Sequence, residues 1–237
     1  MKKLFISLSV FASIFTTAFT GDNDCSYNDF FKEGTKSKMG YYNSDKVLTG
    51  TGVTEVGRIY TSGDSTIAVI NSVYTDAKKN EPHNSQMKLA CVNGAFVMDM
   101  SGLMNSMTPQ GHDIKMVFTG NMIAYKSSYS VGEKLEDVNM SMEMISGGSS
   151  MLTSDIKITD RKVESYDDLV VPAGTFKCYK ISYISSGVTK MKSMTMPATK
   201  PLKSVMFYCP NIGMVRTESY NDDKIYSYSE LLELTKP

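Results

Sequence analysis

VNMSMEMISGGSSMLTSDIKITD, Val138 to Asp160, holds two alternating runs separated by a glycine turn. Met140, Met142 and Met144 take every second position before the turn, with Asn139, Ser141 and Glu143 between them. A period of two belongs to a β-strand, whose successive side chains point to opposite faces. One face of this run is therefore soft and apolar, and the other is wet. SGGSS, Ser146 to Ser150, is a turn, and MLTSDIKITD, Met151 to Asp160, resumes as a strand rich in β-branched residues.

Working outward, the chain from Thr35 onward repeats this rhythm. Short alternating runs broken by turn residues are the signature of an antiparallel all-β domain. Turns are predicted at NSDK (Asn43 to Lys46), SGDS (Ser62 to Ser65), KKNEPHN (Lys78 to Asn84), VNG (Val92 to Gly94), PAG (Pro172 to Gly174) and YNDDK (Tyr220 to Lys224). Further strands are predicted at STIAVINSVY (Ser65 to Tyr74), TFKCYKISYI (Thr175 to Ile184), VMFY (Val205 to Tyr208) and KIYSYSELLEL (Lys224 to Leu234). One segment departs from the pattern. Met100, Leu103, Met104 and Met107 recur at helical spacing, and Pro109 stops the run, so a short helix is predicted near Met100 to Thr108. No linker, charge run or repeat divides the chain, and residues 21–237 read as a single domain.

The amino terminus, MKKLFISLSVFASIFTTAFTGDNDC, reads as a secretory signal peptide over residues 1–20: two lysines, an apolar run too short to span a bilayer, then small and hydroxylated residues. Cys25 follows Asn23 and Asp24, not the small residues of a lipoprotein signal, and is expected to stay unlipidated. Loss of this segment removes Lys2 and Lys3 and no acid, so that 25 basic and 25 acidic residues become 23 and 25. A near-neutral chain has no basic stripe for phosphates, and nucleic acid is not an expected partner. Export permits disulfides among Cys25, Cys91, Cys178 and Cys209, with three pairings open and free buried thiols as the alternative. No pair stands in C-x-x-C register, which argues against zinc and redox sites.

Catalytic patterns fail on geometry. Ser154 and Lys157 form S-x-x-K, but in an alternating strand positions three apart face opposite ways. His83 and His112 stand apart in loop-like surroundings, and the acid pairs Asp167/Asp168 and Asp222/Asp223 read as solvated turn residues. TGTGVTEVG, Thr49 to Gly57, lacks the lysine and helix of a phosphate loop and reads as a flexible strand. No enzyme activity, metal or cofactor is expected.

What asks for an account is methionine, 18 residues in all. Thioether chains fill irregular gaps and adapt to ligands of varied shape. A methionine-faced strand and a methionine-faced helix are expected to meet, with Phe96, Met100, Leu103, Met104, Met107, Met140, Met142 and Met144 around one apolar space. That space is either a ligand cavity or plain core packing. A copper site would instead need M-x-x-M clusters with histidine.

The most specific wording lies in the second half: VVPAGTFKCYKISY (Val170 to Tyr183), FYCPNIGMVRTESYN (Phe207 to Asn221) and YSELLEL (Tyr228 to Leu234), preceded by CSYNDFFKEGT (Cys25 to Thr35) and CVNGAFVMDM (Cys91 to Met100). This wording resembles the TapB-like family of secreted bacterial β proteins, which is close to a domain family of unknown function. The resemblance covers nearly the whole mature chain and departs at Cys209, where the family is expected to carry a small residue. It implies an antiparallel β barrel or half-barrel of the periplasm or cell surface, and no reaction. Two functions follow as expectations: a carrier of an apolar ligand such as a lipid or acyl chain, or a structural or adhesion module of the cell envelope with a filled core. The exported chain should begin near Phe19 or Gly21 without a diacylglyceryl group. Intact-mass spectrometry of the mature protein checks this, and a lipid increment on Cys25 would overturn it.

Overall fold

Alternation assigns side chains to faces but does not say which strands pair. The computed structural model describes residues 25–99, 114–120, 123–191 and 194–237. It begins with a short 3-10 turn, Asp29–Phe31, followed by β1 (Lys36–Asn43), β2 (Leu48–Ser62), β3 (Ser65–Asp76), β4 (Pro82–Val92), β5 (Ala95–Asp99), β6 (Ile114–Gly120) and β7 (Ala124–Tyr125). The second half holds β8 (Val138–Ser146), β9 (Ser149–Val171), β10 (Gly174–Met191), β11 (Met194–Thr195), β12 (Leu202–Cys209), β13 (Gly213–Asn221) and β14 (Lys224–Thr235). Among the described residues all fourteen join one antiparallel sheet in the order β6-β8-β9-β10-β12-β13-β14-β1-β2-β3-β4-β5-β7, with β11 added to β10. The sheet does not close on itself, which agrees with the expected barrel or half-barrel.

Every predicted strand falls inside an observed one, but two local readings need correction. Asp167 and Asp168 lie within β9, paired with Cys178 and Lys177, because the strand runs on well past Asp160. His83 lies in β4 opposite Tyr74, since the turn after β3 is shorter than its polar composition suggests and the ladder starts at Pro82. TGTGVTEVG is a strand, as expected, within β2. The predicted helix near Met100 to Thr108, the signal peptide of residues 1–20 and His112 lie outside the described residues.

β9 carries extra residues against β10 at two places, between the partners of Lys180 and Ile181 and between those of Ser182 and Ile184. Bulges bend a strand and increase its twist. They divide the long β9–β10 ribbon into a portion on the core and an arm that pairs with β8, and through it with β6. The core itself gathers Val56, Ala68, Ile70, Leu89, Phe96, Val163, Ile181, Met206 and Tyr208, all buried. A second cluster forms where the β9–β10 turn folds over β14. There Ala173 N donates to Leu231 O at 3.3 Å, and Val171, Cys178, Cys209, Val215 and Leu231 are buried.

Both disulfides form: Cys25–Cys91, Cα atoms 5.8 Å apart, and Cys178–Cys209, 4.1 Å apart. The first closes a separation of 66 residues, a cross-link worth about 4 kcal/mol on chain-entropy grounds. It pins the amino-terminal segment across one end of the sheet. Asn28 Nδ2 donates to Pro210 O at 2.8 Å, Asp29 N to Asn211 O at 2.7 Å, and the Tyr27 hydroxyl to Gly94 O at 3.1 Å.

The buried Asp29 carboxylate meets Lys32 at Oδ1 and Lys236 at Oδ2, each at 2.8 Å, so it joins this end-piece to the carboxyl terminus. Burial works to raise its pKa, but hydrogen bonds and charge from Lys236 and Lys32 outweigh burial and hold the carboxyl below its ordinary range. A depressed folded pKa adds stability that is present above the unfolded value and is lost as pH falls through the folded one. Asp29→Asn should therefore cost about 1–2 kcal/mol at neutral pH, because both lysines are half exposed and partly screened. Thermal melts at descending pH check the sign: the gap between variant and wild type should narrow as the carboxylate range is entered.

Candidate apolar binding site

Directly paired residues in a ladder share a face, so the inner face can be traced strand by strand. From β12 to β14 it runs through Met206, Thr217 and Ser229. Ser229 and Leu231 pair with Tyr41 and Met39 of β1, which pair with Gly50 and Gly52 of β2. Ile70 of β3 then pairs with Met87 of β4, Leu89 with Met98 of β5, and Phe96 with Tyr125 of β7. Of these residues all but Met206, Gly50 and Gly52 line a cavity of about 310 Å3, bounded also by Phe30, Tyr208, Ile212 and Met214. That volume lies at the lower end of the range for small-ligand sites.

No charged side chain lines the cavity, and its serine and threonine hydroxyls are spent on one another. Ser37 Oγ lies 2.6 Å from Thr54 Oγ1, and Thr217 Oγ1 lies 2.7 Å from Ser229 Oγ. Paired hydroxyls present little polarity to a guest, which leaves four methionines, Met39, Met87, Met98 and Met214, with Ile70, Leu89 and Phe96 to set the character of the wall. Burial raises the pKa of Tyr41, Tyr125 and Tyr208, so the lining phenols are neutral. Tyr41 and Met214 are 37% and 43% exposed and mark the rim.

Two glycines make room for this wall. A Cβ on Gly50 would lie 2.5 Å from the Tyr74 hydroxyl oxygen, and one on Gly52 would lie 3.2 Å from that of Tyr41. The rings therefore lie across bare backbone, which is the reason TGTG stands inside a strand.

The far side of the cavity is closed by aromatic contacts. Tyr208 is fully buried and packs against Phe96, Tyr125 and Tyr129, with ring centroids 5.9, 5.2 and 6.1 Å away. Its hydroxyl donates to Lys126 O at 3.0 Å, and Tyr129 meets Tyr179 edge-on at 5.4 Å. Main-chain bonds complete the crossing, Gly132 N to Val163 O and Leu135 N to Arg161 O. The segment from Tyr125 to Leu135 thus straps β5 to β9, β10 and β12.

Of the residues singled out by periodicity, Phe96 lies in this wall. Met100, Leu103, Met104 and Met107 fall outside the described residues. Met140, Met142 and Met144 stand on the arm, half-buried, paired with Ile156, Ser154 and Leu152 on one side and Gly120, Phe118 and Met116 on the other. Register carries that face through Gly187 and Ser185 of β10 to Tyr183 and Ile181, so it continues the inner face. The three do not line the cavity. Met39, Met87 and Met214 went unselected because single methionines in short strands carry no signal until the strands pair.

Ser154 and Lys157 pair with Met142 and Asn139, hence on opposite faces, as strand geometry requires. On the outer face, Arg216 joins Glu218 at 2.8 Å and Glu230 at 2.9 Å beside the stacked rings of Tyr42 and Tyr228. Burial, and then the Glu218 carboxylate, push the Tyr220 phenol up to about 12. Among the described residues no group of three or more histidines, cysteines or acids stands ready for a metal, and no helix is long and apolar enough to cross a membrane.

A family profile described as DUF3108-like matches residues 32–231, and the chain belongs to that family. Two solved structures share its fold. One, from Bacteroides fragilis, is described as an exported protein with a YmcC-like fold: TM-score 0.63, 24% identity, over 86% of this chain and 97% of that one. The other, from Parabacteroides distasonis, is described as a lipoprotein: TM-score 0.65, 23% identity, over 90% of this chain and 100% of that one. No curated protein matches the chain. Because Tyr208 anchors the strap, Tyr208→Phe should cost about 1–2 kcal/mol through the lost hydrogen bond, and Tyr208→Ala about 3–5 kcal/mol through the cavity left behind. Urea denaturation of the two variants checks both figures.

Proposed function

We propose that this member of the DUF3108-like family is an exported, non-enzymatic binding protein that holds an apolar ligand, a lipid or acyl chain, in the methionine-lined cavity. The observation that carries the reading is the wall: about 310 Å3 enclosed by thioether, aliphatic and aromatic groups, with its serine and threonine hydroxyls paired among themselves and no charge. A guest without polar groups loses nothing by leaving water for such a wall, and flexible thioethers conform to it. Export is supported by the amino-terminal wording and by two disulfides, which persist in oxidising compartments. The Cys25 sulfur is engaged with Cys91, which leaves no thiol for a lipid thioether. Within the family, the TapB-like branch is supported by the wording of Val170 to Tyr183 and Phe207 to Asn221.

The second reading, an envelope module with a filled core, draws on the close-packed aromatic cluster around Tyr208, which fills the neighbouring part of the interior. Displacement of a neutral apolar dye separates the two, since a filled core gives no saturable signal. Wild type should bind the dye saturably, and Met87→Glu, which places a carboxylate in the wall, should abolish binding. Met142→Glu, on the arm, should leave dye affinity within about twofold of wild type. Native mass spectrometry should show an apolar adduct leaving the purified protein. A wild type with neither dye binding nor adduct would return the protein to the filled-core reading.

A further inference from the structure

The bulge in β9 carries a buried cation, Arg161, that enters no ion pair among the described residues. Ser182 pairs with Lys162 and Ile184 with Thr159, so Asp160 and Arg161 together oppose Tyr183, and Asp160 takes a φ of +53°. Such a bulge re-aims the side chains it carries. Arg161 is only 7% exposed. Its guanidinium makes one hydrogen bond among the described residues, from Nη1 to Glu136 O at 2.8 Å. It enters none of the ion pairs and none of the cation–ring contacts among them. A guanidinium offers five N–H donors in a fixed fork, and a buried charge with one backbone carbonyl for company is strongly unfavourable.

We propose that Arg161 is the anchor of a binding site for a carboxylate. Arg161 lines a recess of about 270 Å3 with Lys134, Leu135, Asp137, Asp160 and Lys162. Lys162 Nζ is held by Glu164 at 2.9 Å. The acids Asp137 and Asp160 offset the remaining cations, so the recess exerts little long-range field and does not suit a polyanion. What remains is the short-range fork of one guanidinium, whose geometry matches a single carboxylate bidentately. The charge of Arg161 also reaches Tyr125, Tyr129 and Tyr183, where it opposes the burial that raises their pKa. Tyr125 is a wall of the apolar cavity. A carboxylate at Arg161 is thus either a free small acid or the head of an acyl chain whose tail lies in the cavity; only the second source rests on the function proposed above.

Calorimetric titration of the mature protein with acetate, octanoate and octanol, on wild type, Arg161→Met and Arg161→Lys, tests the site. Octanoate should bind wild type and raise its melting temperature. Arg161→Met should weaken octanoate at least tenfold and leave octanol unchanged, and Arg161→Lys should fall between. Without ligand, Arg161→Met should melt no lower than wild type, because it removes a buried charge that no ion pair among the described residues holds. Octanoate binding more than tenfold tighter than acetate assigns the head of an acyl chain; equal binding of the two assigns a free carboxylate, with the site standing even if the apolar cavity binds nothing. Carboxylate binding unaltered in Arg161→Met, or absent from wild type, overturns the proposal. Should Arg161→Met fail to fold, the octanoate–octanol difference on wild type and its loss in Arg161→Lys decide the same point. Failure of octanol and neutral dye alone would count against the cavity and not against Arg161.

Discussion

An antiparallel sheet with two unjoined ends has to enclose its interior without a continuous ladder, and here the fully buried ring of Tyr208, beside the few main-chain bonds of the strap, makes that possible. Phe96 from β5, Tyr125 from β7 and Tyr129 from the following segment converge on it, and its hydroxyl is satisfied by Lys126 O. Aromatic stacking is non-covalent and tolerant of angle, so it can hold the β7 end of the sheet against the inner face of β12, which no ladder register pairs with it. The strap and the core facing it both follow from this one cluster.

Closure by rings rather than by strands has a consequence for what lies beside them. A barrel closed by hydrogen bonds fills its interior with side chains from every strand, whereas here the aromatic mass is gathered under the strap and the inner face of β1 to β5 is left with slimmer residues. Ser37 and Thr54 line that space, and Tyr41 and Tyr74 lie across Gly50 and Gly52 beside it. The methionines that border the opening are the side chains best able to rest against one another when it is empty and to conform when it is not.

The amino-terminal end-piece plays the complementary part at one end of the sheet. Cys25–Cys91 fixes it to β4, Asn28 and Asp29 bind the β12–β13 turn, and Asp29 reaches Lys236. Residues 25–29 and Lys236 are thereby tied to the same end of the sheet. Cys178–Cys209 staples the cross-strand neighbours just beyond the Tyr179–Tyr208 pair, so both covalent links bracket the aromatic cluster.

Period-two alternation and turn chemistry were enough to read the fold class, because those signals live in a few consecutive residues: MLTSDIKITD and TFKCYKISYI are strands whatever they pair with. Composition alone could not place Asp167, Asp168 and His83, polar residues that a strand accepts on an exposed face. The candidate site was legible only in kind. Methionine excess pointed to an adaptable apolar surface, yet the run that displays it most plainly, Met140 to Met144, lies on the arm, while Met39, Met87, Met98 and Met214 come from four strands scattered along the chain. Local sequence by itself determined which face each side chain takes, since that is a property of one strand's backbone. Only the tertiary structure decided which faces meet, where the β9 bulge buries Arg161 and where the cavity lies, because strand order, bulges and ring contacts join residues that no local period relates.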